Sequence, residues 1–402
     1  MGALSDITVL DMSRILAGPF GTQILADLGA TVWKIESPWG DDTRSWGPPF
    51  VGTESAYYLS ANRGKKSLIV NLRDQKGQEI IRGLAQRADI LVENFRVGNL
   101  ARYGLDYESV SKINPQIIYA SVTGFGQTGP RATEPGYDAA LQGMTGIMSV
   151  TGEADGRPTK VGVAWIDILT GLNSTIGILA ALHERKLSGR GQHVDVSLFD
   201  VGIASMANLA QSFLATNEAP GRIGNAHPQV VPYQDFEASD EFFMLAANND
   251  DQFRRLCDVV GLPELPDDER FVDNAARVAH RELLASMLND KIRHNTREHW
   301  LDALQEAGIT VTSINTIADA FEDPQAKARN AIWEVDHPSL GSVELLGSAL
   351  QHLSRTPAAP QSHPPLLGEH TEEVLRETLR LSNSEIEALL NDGVVRGVSK
   401  EE

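Results

Sequence analysis

The sequence predicts an α/β fold with a large, mainly parallel sheet domain and a smaller α+β domain. Three observations predict it. Apolar runs of strand length alternate with amphipathic runs of helix length from residue 1 to about 200, the pattern of successive βαβ units with right-handed crossovers. The texture then changes to a Gly- and Pro-rich stretch, Asn217 to Phe236. Finally, 402 residues with 42% hydrophobic content suffice for two domains, or one large domain with an insertion.

The elements follow in order. Ile7–Ser13 reads as a short strand, Gly18–Ala30 as a helix closed by glycine, and Thr31–Ser37 as the next strand. Ser67–Leu72 and Asp89–Phe95 are strands flanking a helix with the sequence DQKGQEIIRGLAQRA, and Gln116–Phe125 is another strand. Ligands of such sheets gather at the carboxyl ends of the strands. The loops Arg14–Pro19, Ser37–Trp46, Asn94–Arg102 and Gly124–Tyr137 are therefore the first places to look for a site.

Trp165–Leu187 is a long apolar helix with Asp167 at or near its N-cap. The first-turn N–H groups and the helix dipole favour an anion there. Asp167 is either a simple cap or a nucleophile, and position alone leaves both readings open. RGQHVDVSLFD follows, and Val201–Thr216 reads as a second long helix. Beyond the Gly- and Pro-rich stretch, EFFMLAAN is a strand, Phe253–Val260, Arg281–Ile292 and Thr296–Ala307 are helical, and ITVTSIN is strand-like. IWEVDHP and GSVELLG are two further strands, and the tail HPPLLGEHTEEVLRETL…SNSEIEALLNDGVV is expected to return to the first domain. The domain boundaries expected are 1–200 with 330–402 for the large domain, and 217–330 for linkers and the small one.

Composition excludes several functions. A net charge of −19 argues against nucleic acid and against anionic membrane surfaces. No segment holds about 18 unbroken apolar residues, and the N-terminus lacks a basic and an apolar region of signal type. A soluble cytoplasmic protein is expected. The single cysteine, Cys257, forms no intrachain disulfide and is expected to be buried filler. Ten histidines are scattered without ligand spacing, so no metal is expected. GFGQTG (Gly124, Gly126, Gly129) matches the dinucleotide pattern, but Pro130 and Pro135 follow where a helix should open, so neither nicotinamide nor flavin is expected. Neither a G-x-S-x-G elbow nor a P-loop is present. What remains is a carboxylate at a helix start, glycine-rich loops, and Arg14, Arg44, Arg73 and Arg102 near strand ends, a set suited to a large anionic ligand handled without a metal.

LDMSRILAGPFGTQILADLGATVWKIE, then GDDTR, SLIVNL, DILVENF, GYD, RGQHVDVSLFD, RIGNAHPQVVPYQDF and PPLLGEHTEEVL, resembles the family III CoA-transferases, the CaiB/BaiF group that includes formyl-CoA transferase. The resemblance implies a Rossmann-like large domain and an interlocked homodimer of ring-shaped subunits. It implies coenzyme A, brought as an acyl-CoA substrate, with Asp167 as the catalytic nucleophile. The matching CoA-binding positions are Leu16, Ala17, Val70, Arg73, Asn94, Phe95 and Arg102, with Tyr137 beside them; Arg73 and Arg102 would face phosphates. Leu16 stands where oxalate-handling members carry glutamine, Ser37 where they carry arginine, and GNAHP (Gly224–Pro228) replaces their glycine run.

The loop and C-terminal half are similar to the branch that moves CoA from succinyl-CoA to glutarate, itaconate, mesaconate or citramalate. Its acceptor contacts would fall at Arg44, Gly224, Asn225 and His227, with Arg222 a further candidate for a second carboxylate. The same fold serves α-methylacyl-CoA racemases, which place a histidine at about Tyr137; a phenol with a pKa near ~10 is too weak an acid for that exchange, which ranks racemase second. A non-catalytic CoA-binding protein would keep the loops and not need Asp167.

Overall fold

A computed structural model describes residues 2–398. The chain divides into two compact units, the first comprising 1–147, 161–216 and 327–402, the second 148–160 and 217–326. Residues 148–160 therefore lie with the second unit, although in sequence they interrupt the first.

In the first unit, β1 (Thr8–Asp11), β2 (Thr31–Glu36), β3 (Lys65–Val70), β4 (Ile90–Glu93), β5 (Ile118–Thr123) and β6 (His193–Ser197) are parallel and lie in the order β3-β2-β1-β4-β5-β6. Strand order reverses between β1 and β4. That reversal is the switch point at which doubly wound sheets bind ligands, because the loops leaving β1 and β4 turn to opposite faces and open a crevice. The strands are apolar on both faces, as a sheet covered by helices requires. Leu10, Leu68, Leu91 and Ile81 pack on one side, and Val9, Val32, Ile90 and Ile118 on the other.

Helix α1 (Ala17–Asp27) follows β1, and α2 (Asp138–Met144) precedes α3 (Trp165–Ser188), which packs along α1. Gly21 and Gly171 permit that approach: a Cβ on Gly171 would stand 2.6 Å from the Ala17 carbonyl oxygen. The expected helix Val201–Thr216 is instead two helices, Leu198–Ser205 and Ala207–Thr216, bent by 76° with Ala207 at φ 38°. The apolar pattern runs unbroken through the bend, so periodicity cannot reveal it.

The tail returns as expected. A hairpin of Ile332–His337 with Gly341–Leu346 is followed by helices Thr371–Glu377 and Asn383–Asn391 and the two-residue strand Val395–Arg396, which adds antiparallel to β3.

The second unit has a three-stranded antiparallel sheet of Tyr233–Glu237, Phe242–Ala246 and Thr310–Ser313. Helices Asp250–Val260, Arg281–Ile292 and Arg297–Glu306 cover it around Phe243, Phe253, Leu256 and Trp300. The strand Tyr233–Glu237 has no signal of its own; its sequence YQDFE carries too few apolar residues for alternation to mark it. Cys257 is buried in this core, and burial pushes its thiol up to about 12, as fits filler.

Candidate active site

The loop leaving β1 is held from beneath by buried charge. Asp11 accepts hydrogen bonds from Ser13, from Thr22 (2.6 Å) and from Lys65 (3.1 Å), while Lys34 donates to Asp41 (2.9 Å) and to the Ser13 carbonyl (3.2 Å). Burial opposes ionisation of Asp41, yet the adjoining Lys34 and the Thr43 donors outweigh it and hold the carboxyl down to about 2. The Asp41 carboxylate in turn accepts the N–H of Ile15 at 3.3 Å. Ile15 sits at φ 72°, a conformation that a β-branched residue adopts only when its surroundings impose it.

Arg14 and Asn94 clasp the two loops of the switch point together. The Arg14 N–H donates to Asn94 Oδ1 (3.0 Å), and Asn94 Nδ2 donates back to the Arg14 carbonyl (2.8 Å). Beyond this clasp, α1 begins without a side-chain cap and without an acidic residue in its first turn. Among the described residues, the Ala17 and Gly18 N–H groups have no acceptor.

A cavity of about 290 Å³ lies at this carboxyl edge, with Arg14, Leu16, Ala17, Phe95, Tyr137 and Asp167 among its walls. Asp167 is not the cap of α3. The helix starts at Trp165, so Asp167 is its third residue, and the cap is supplied from elsewhere: Asp138 Oδ1 accepts the N–H of Ile166 (2.8 Å) and of Asp167 itself (3.3 Å). Gln142 holds the other Asp138 oxygen at 2.7 Å. The helix terminus favours an anion at Asp167, and two other effects oppose it. Burial first, and the Asp138 charge second, push the Asp167 carboxyl up to about 7.

A second cavity of about 500 Å³ shares Arg14, Phe95 and Asn99 as walls, and is further lined by Val70, Arg73, Arg102 and Tyr103. Phe95 is fixed by its N–H, which donates to Glu93 (2.7 Å). The structure thus brings Leu16, Ala17, Asn94, Phe95, Tyr137 and Asp167 to one cavity, and Val70, Arg73 and Arg102 to the adjoining one.

Arg44 does not join them. Its guanidinium donates twice to Glu36 (2.8 Å each), once to the Pro365 carbonyl (3.0 Å) and once to Tyr58 Oη (2.6 Å), over whose ring it lies. It is a largely enclosed brace between β2 and the C-terminal segment, and its remaining nitrogen, Nη1, faces Glu54 at 3.7 Å. In the second unit, Arg222 turns its Nε and Nη2 to the carbonyls of Glu153 (3.2 Å), Ala154 (3.5 Å) and Gly156 (2.7 Å). Gly224 turns there at φ 61° and Asn225 is exposed. The His227 ring stacks on Tyr233, and its Nδ1 accepts from the Gln229 N–H (3.1 Å). Its Nε2 has no partner among the described residues.

GFGQTG forms a sequence of bends with Gly126 at φ 84° and Gly129 at φ 92°, and no helix opens directly from it; α2 begins only at Asp138. No cluster of His, Cys, Asp or Glu that could hold a metal ion occurs among the described residues. Two contributors carry no clear signal in the sequence. Asp138 lies within the GYD motif and at a helix start, so its place is visible there and its partner, Asp167, is not. Tyr57 is close enough to Asp167 for burial and that charge to push its phenol up to about 12.

The model of the family described as CoA-transferase family III matches residues 4–371. The chain belongs to that family. It is 41% identical over 396 residues to the succinyl-CoA:glutarate CoA-transferase of Mus musculus, covering 98% of this chain and 91% of the relative. It is 44% identical over 333 residues to the acetyl-CoA:oxalate CoA-transferase of Acetobacter aceti, covering 82% and 85%. Among solved structures it is similar to a CaiB/BaiF family protein from Brucella suis, with a TM-score of 0.83, 45% identity, and coverage of 94% and 99%. This family III CoA-transferase therefore acts on CoA thioesters, and the two adjoining cavities become its candidate thioester site.

Proposed function

We propose that this enzyme moves CoA from succinyl-CoA to a dicarboxylic acid acceptor such as glutarate, itaconate, mesaconate or citramalate, with Asp167 as the nucleophile. The observation that carries the proposal is the Asp167 carboxyl lining a cavity at the sheet's switch point, in company with the uncapped start of α1.

An Asp167 oxygen attacks the thioester carbonyl, the C–S bond breaks, and CoA leaves as thiolate from a mixed anhydride. The thiolate then attacks the aspartyl carbonyl and expels succinate, leaving an aspartyl-CoA thioester. The acceptor carboxylate attacks that carbonyl and again frees thiolate, which finally attacks the acceptor's own carbonyl. The new acyl-CoA departs and the Asp167 carboxylate is restored. Each tetrahedral oxyanion requires fixed donors, and the free Ala17 and Gly18 N–H groups supply them without reorganisation. Leu16 and Ala17 flank the reacting end of the thioester, while Val70, Arg73, Phe95 and Arg102 serve the remainder of CoA in the adjoining cavity.

The acceptor assignment is supported by the glutarate relative, and by Leu16 and Ser37 replacing the polar residues of oxalate-handling members. The homodimer belongs to the same proposal. Leu172, Ile176 and Leu179 leave an apolar face of α3 exposed in the single chain, a surface suited to a second copy.

The test is a chromatographic assay with succinyl-CoA and each acceptor in turn, oxalate included. A new acyl-CoA formed with equimolar loss of succinyl-CoA by the wild type, and its absence with Asp167→Ala, is the expected result. Near wild-type transfer by Asp167→Ala would exclude it as nucleophile. Oxalate as the preferred acceptor would overturn the choice of glutarate-type acceptors, and deuterium wash-in at the α-carbon of a 2-methylacyl-CoA in place of transfer would identify a racemase.

A further inference from the structure

Arg396 and Trp39 belong to none of the motifs that carry the family resemblance, yet both line the 500 Å³ cavity that also holds Arg73 and Arg102. The sheet register explains how residues so distant in sequence converge. Ile69 of β3 pairs with Glu36 of β2 on one side and with Arg396 on the other, so one row crosses three strands near their carboxyl edge. Trp39 follows three residues after Glu36, and Arg73 four after Ile69.

None of Arg73, Arg102 and Arg396 has a carboxylate within ion-pair distance among the described residues, in a chain carrying 54 acidic residues. Arg14, on the same cavity, shows the contrast: it is paired with Asp42 at 2.9 Å. Arginines left unpaired around one cavity of a strongly acidic protein form a local anion site within a repulsive field. At the outer end, the Arg396 guanidinium carbon lies 6.0 Å from the centre of the Trp39 ring, and Trp39 is 85% exposed. An open aromatic face of this size with a cation beside it suits a flat heterocycle whose sugar bears a phosphate.

Resting on the CoA reading of these cavities, we propose that Arg396 binds the 3′-phosphate of coenzyme A while Trp39 stacks on its adenine, making the C-terminal strand the element that distinguishes CoA from its 3′-dephospho form. Arg73 and Arg102 then remain for the pyrophosphate. The assignment gives a structural purpose to a two-residue strand at the sheet edge: hydrogen bonding to β3 fixes Arg396 with respect to the cavity.

The experiment is calorimetric titration of the full-length protein with CoA and with 3′-dephospho-CoA, for wild type, Arg396→Gln, Trp39→Ala and Arg73→Gln. Loss of one charge-assisted contact predicts that wild type binds CoA about ten-fold more tightly than 3′-dephospho-CoA, and that Arg396→Gln abolishes this preference by weakening CoA alone. Trp39→Ala and Arg73→Gln weaken both ligands and keep the preference. If wild type binds CoA and Arg396→Gln weakens both ligands equally, or neither, the assignment of Arg396 is overturned while the CoA reading stands. Failure of wild type to bind either ligand overturns both.

Discussion

Replacing Asp138 by Asn tests how the nucleophile is tuned. Asp138 presses on Asp167 in two ways, as the acceptor for the first N–H groups of α3 and as the nearest negative charge. Asn keeps a carbonyl acceptor for the 2.8 Å bond from Ile166 and removes the charge. The Asp167 carboxyl stands at about 7 against an ordinary 3.8, and burial contributes more of that rise than Asp138 does. The substitution should therefore move the acidic limb of the kcat/KM profile down by about one pH unit, less than half of the rise. At pH 6 the ionised fraction goes from about one-tenth to about one-half, so kcat/KM for the acyl-CoA should increase about five-fold there and little above pH 8. Steady-state assays from pH 5 to 9 at fixed ionic strength measure it. A wild-type limb that falls below pH 5, or a limb that Asp138→Asn leaves in place, would refute the coupling between the two carboxyls.

Three further outcomes follow from named contacts. For Asp167 the raised carboxyl is protonated in the fold below about 7 and in the unfolded chain only below ~4, so the stability it contributes is whole below pH 4 and lost as pH rises through 7; Asp167→Asn should be more stable than wild type at pH 8 by up to about 4 kcal/mol, with no difference near pH 4, by urea denaturation. Arg63 makes a two-point bond to Asp27 (2.8 and 2.6 Å) out of solvent and caps the part-buried Leu346 carbonyl (2.7 Å). Arg63→Ala should cost about 3–5 kcal/mol in the same measurement, because it strands a buried carboxylate, and Asp27→Asn in that background should recover part of the loss. On the proposed acceptor site, His227→Ala should raise KM for dicarboxylates more than for monocarboxylates of equal length; an equal change for both would remove His227 from acceptor recognition.

Most of the sheet is legible in the sequence because its strands are short, apolar on both faces and separated by helices of good period. The errors have separate causes. The helix break at Met206–Ala207 is a backbone event with no hydrophobic signature, and the strand Tyr233–Glu237 is held by pairing with Phe242–Ala246. Within the site, Asp167 can be located from the apolar period behind it, but its ionisation cannot. Ionisation depends on Asp138, which stands 29 residues earlier in the chain, and on burial that only packing creates. Arg44 misleads for a related reason: a strand-end arginine looks the same in sequence whether it faces a ligand or braces Glu36 and Pro365. Arg396 is invisible because nothing near it in sequence resembles a binding loop.

The distribution of buried charge also locates the part of the site that is rigid. Asp11, Lys34, Asp41 and Lys65 are all shielded from solvent beneath a single loop, Arg14–Ala17. Buried pairs of this kind often stabilise a fold no better than apolar residues of similar volume would, because desolvation offsets the attraction. What they do secure is a geometry: Asp41 takes the Ile15 N–H and keeps that residue in a left-handed conformation disfavoured by about 1–2 kcal/mol. Releasing Ile15 would swing Leu16 and Ala17, and with them the two unbonded N–H groups at the head of α1. On the mechanism proposed above, those groups meet four successive oxyanions in each turnover, first at the donor's acyl carbonyl, twice at that of Asp167 itself, and last at the acceptor's. Donors that serve these carbonyls must stay put while the reacting atoms exchange places, and a loop anchored by buried ion pairs meets that requirement where a mobile one would not.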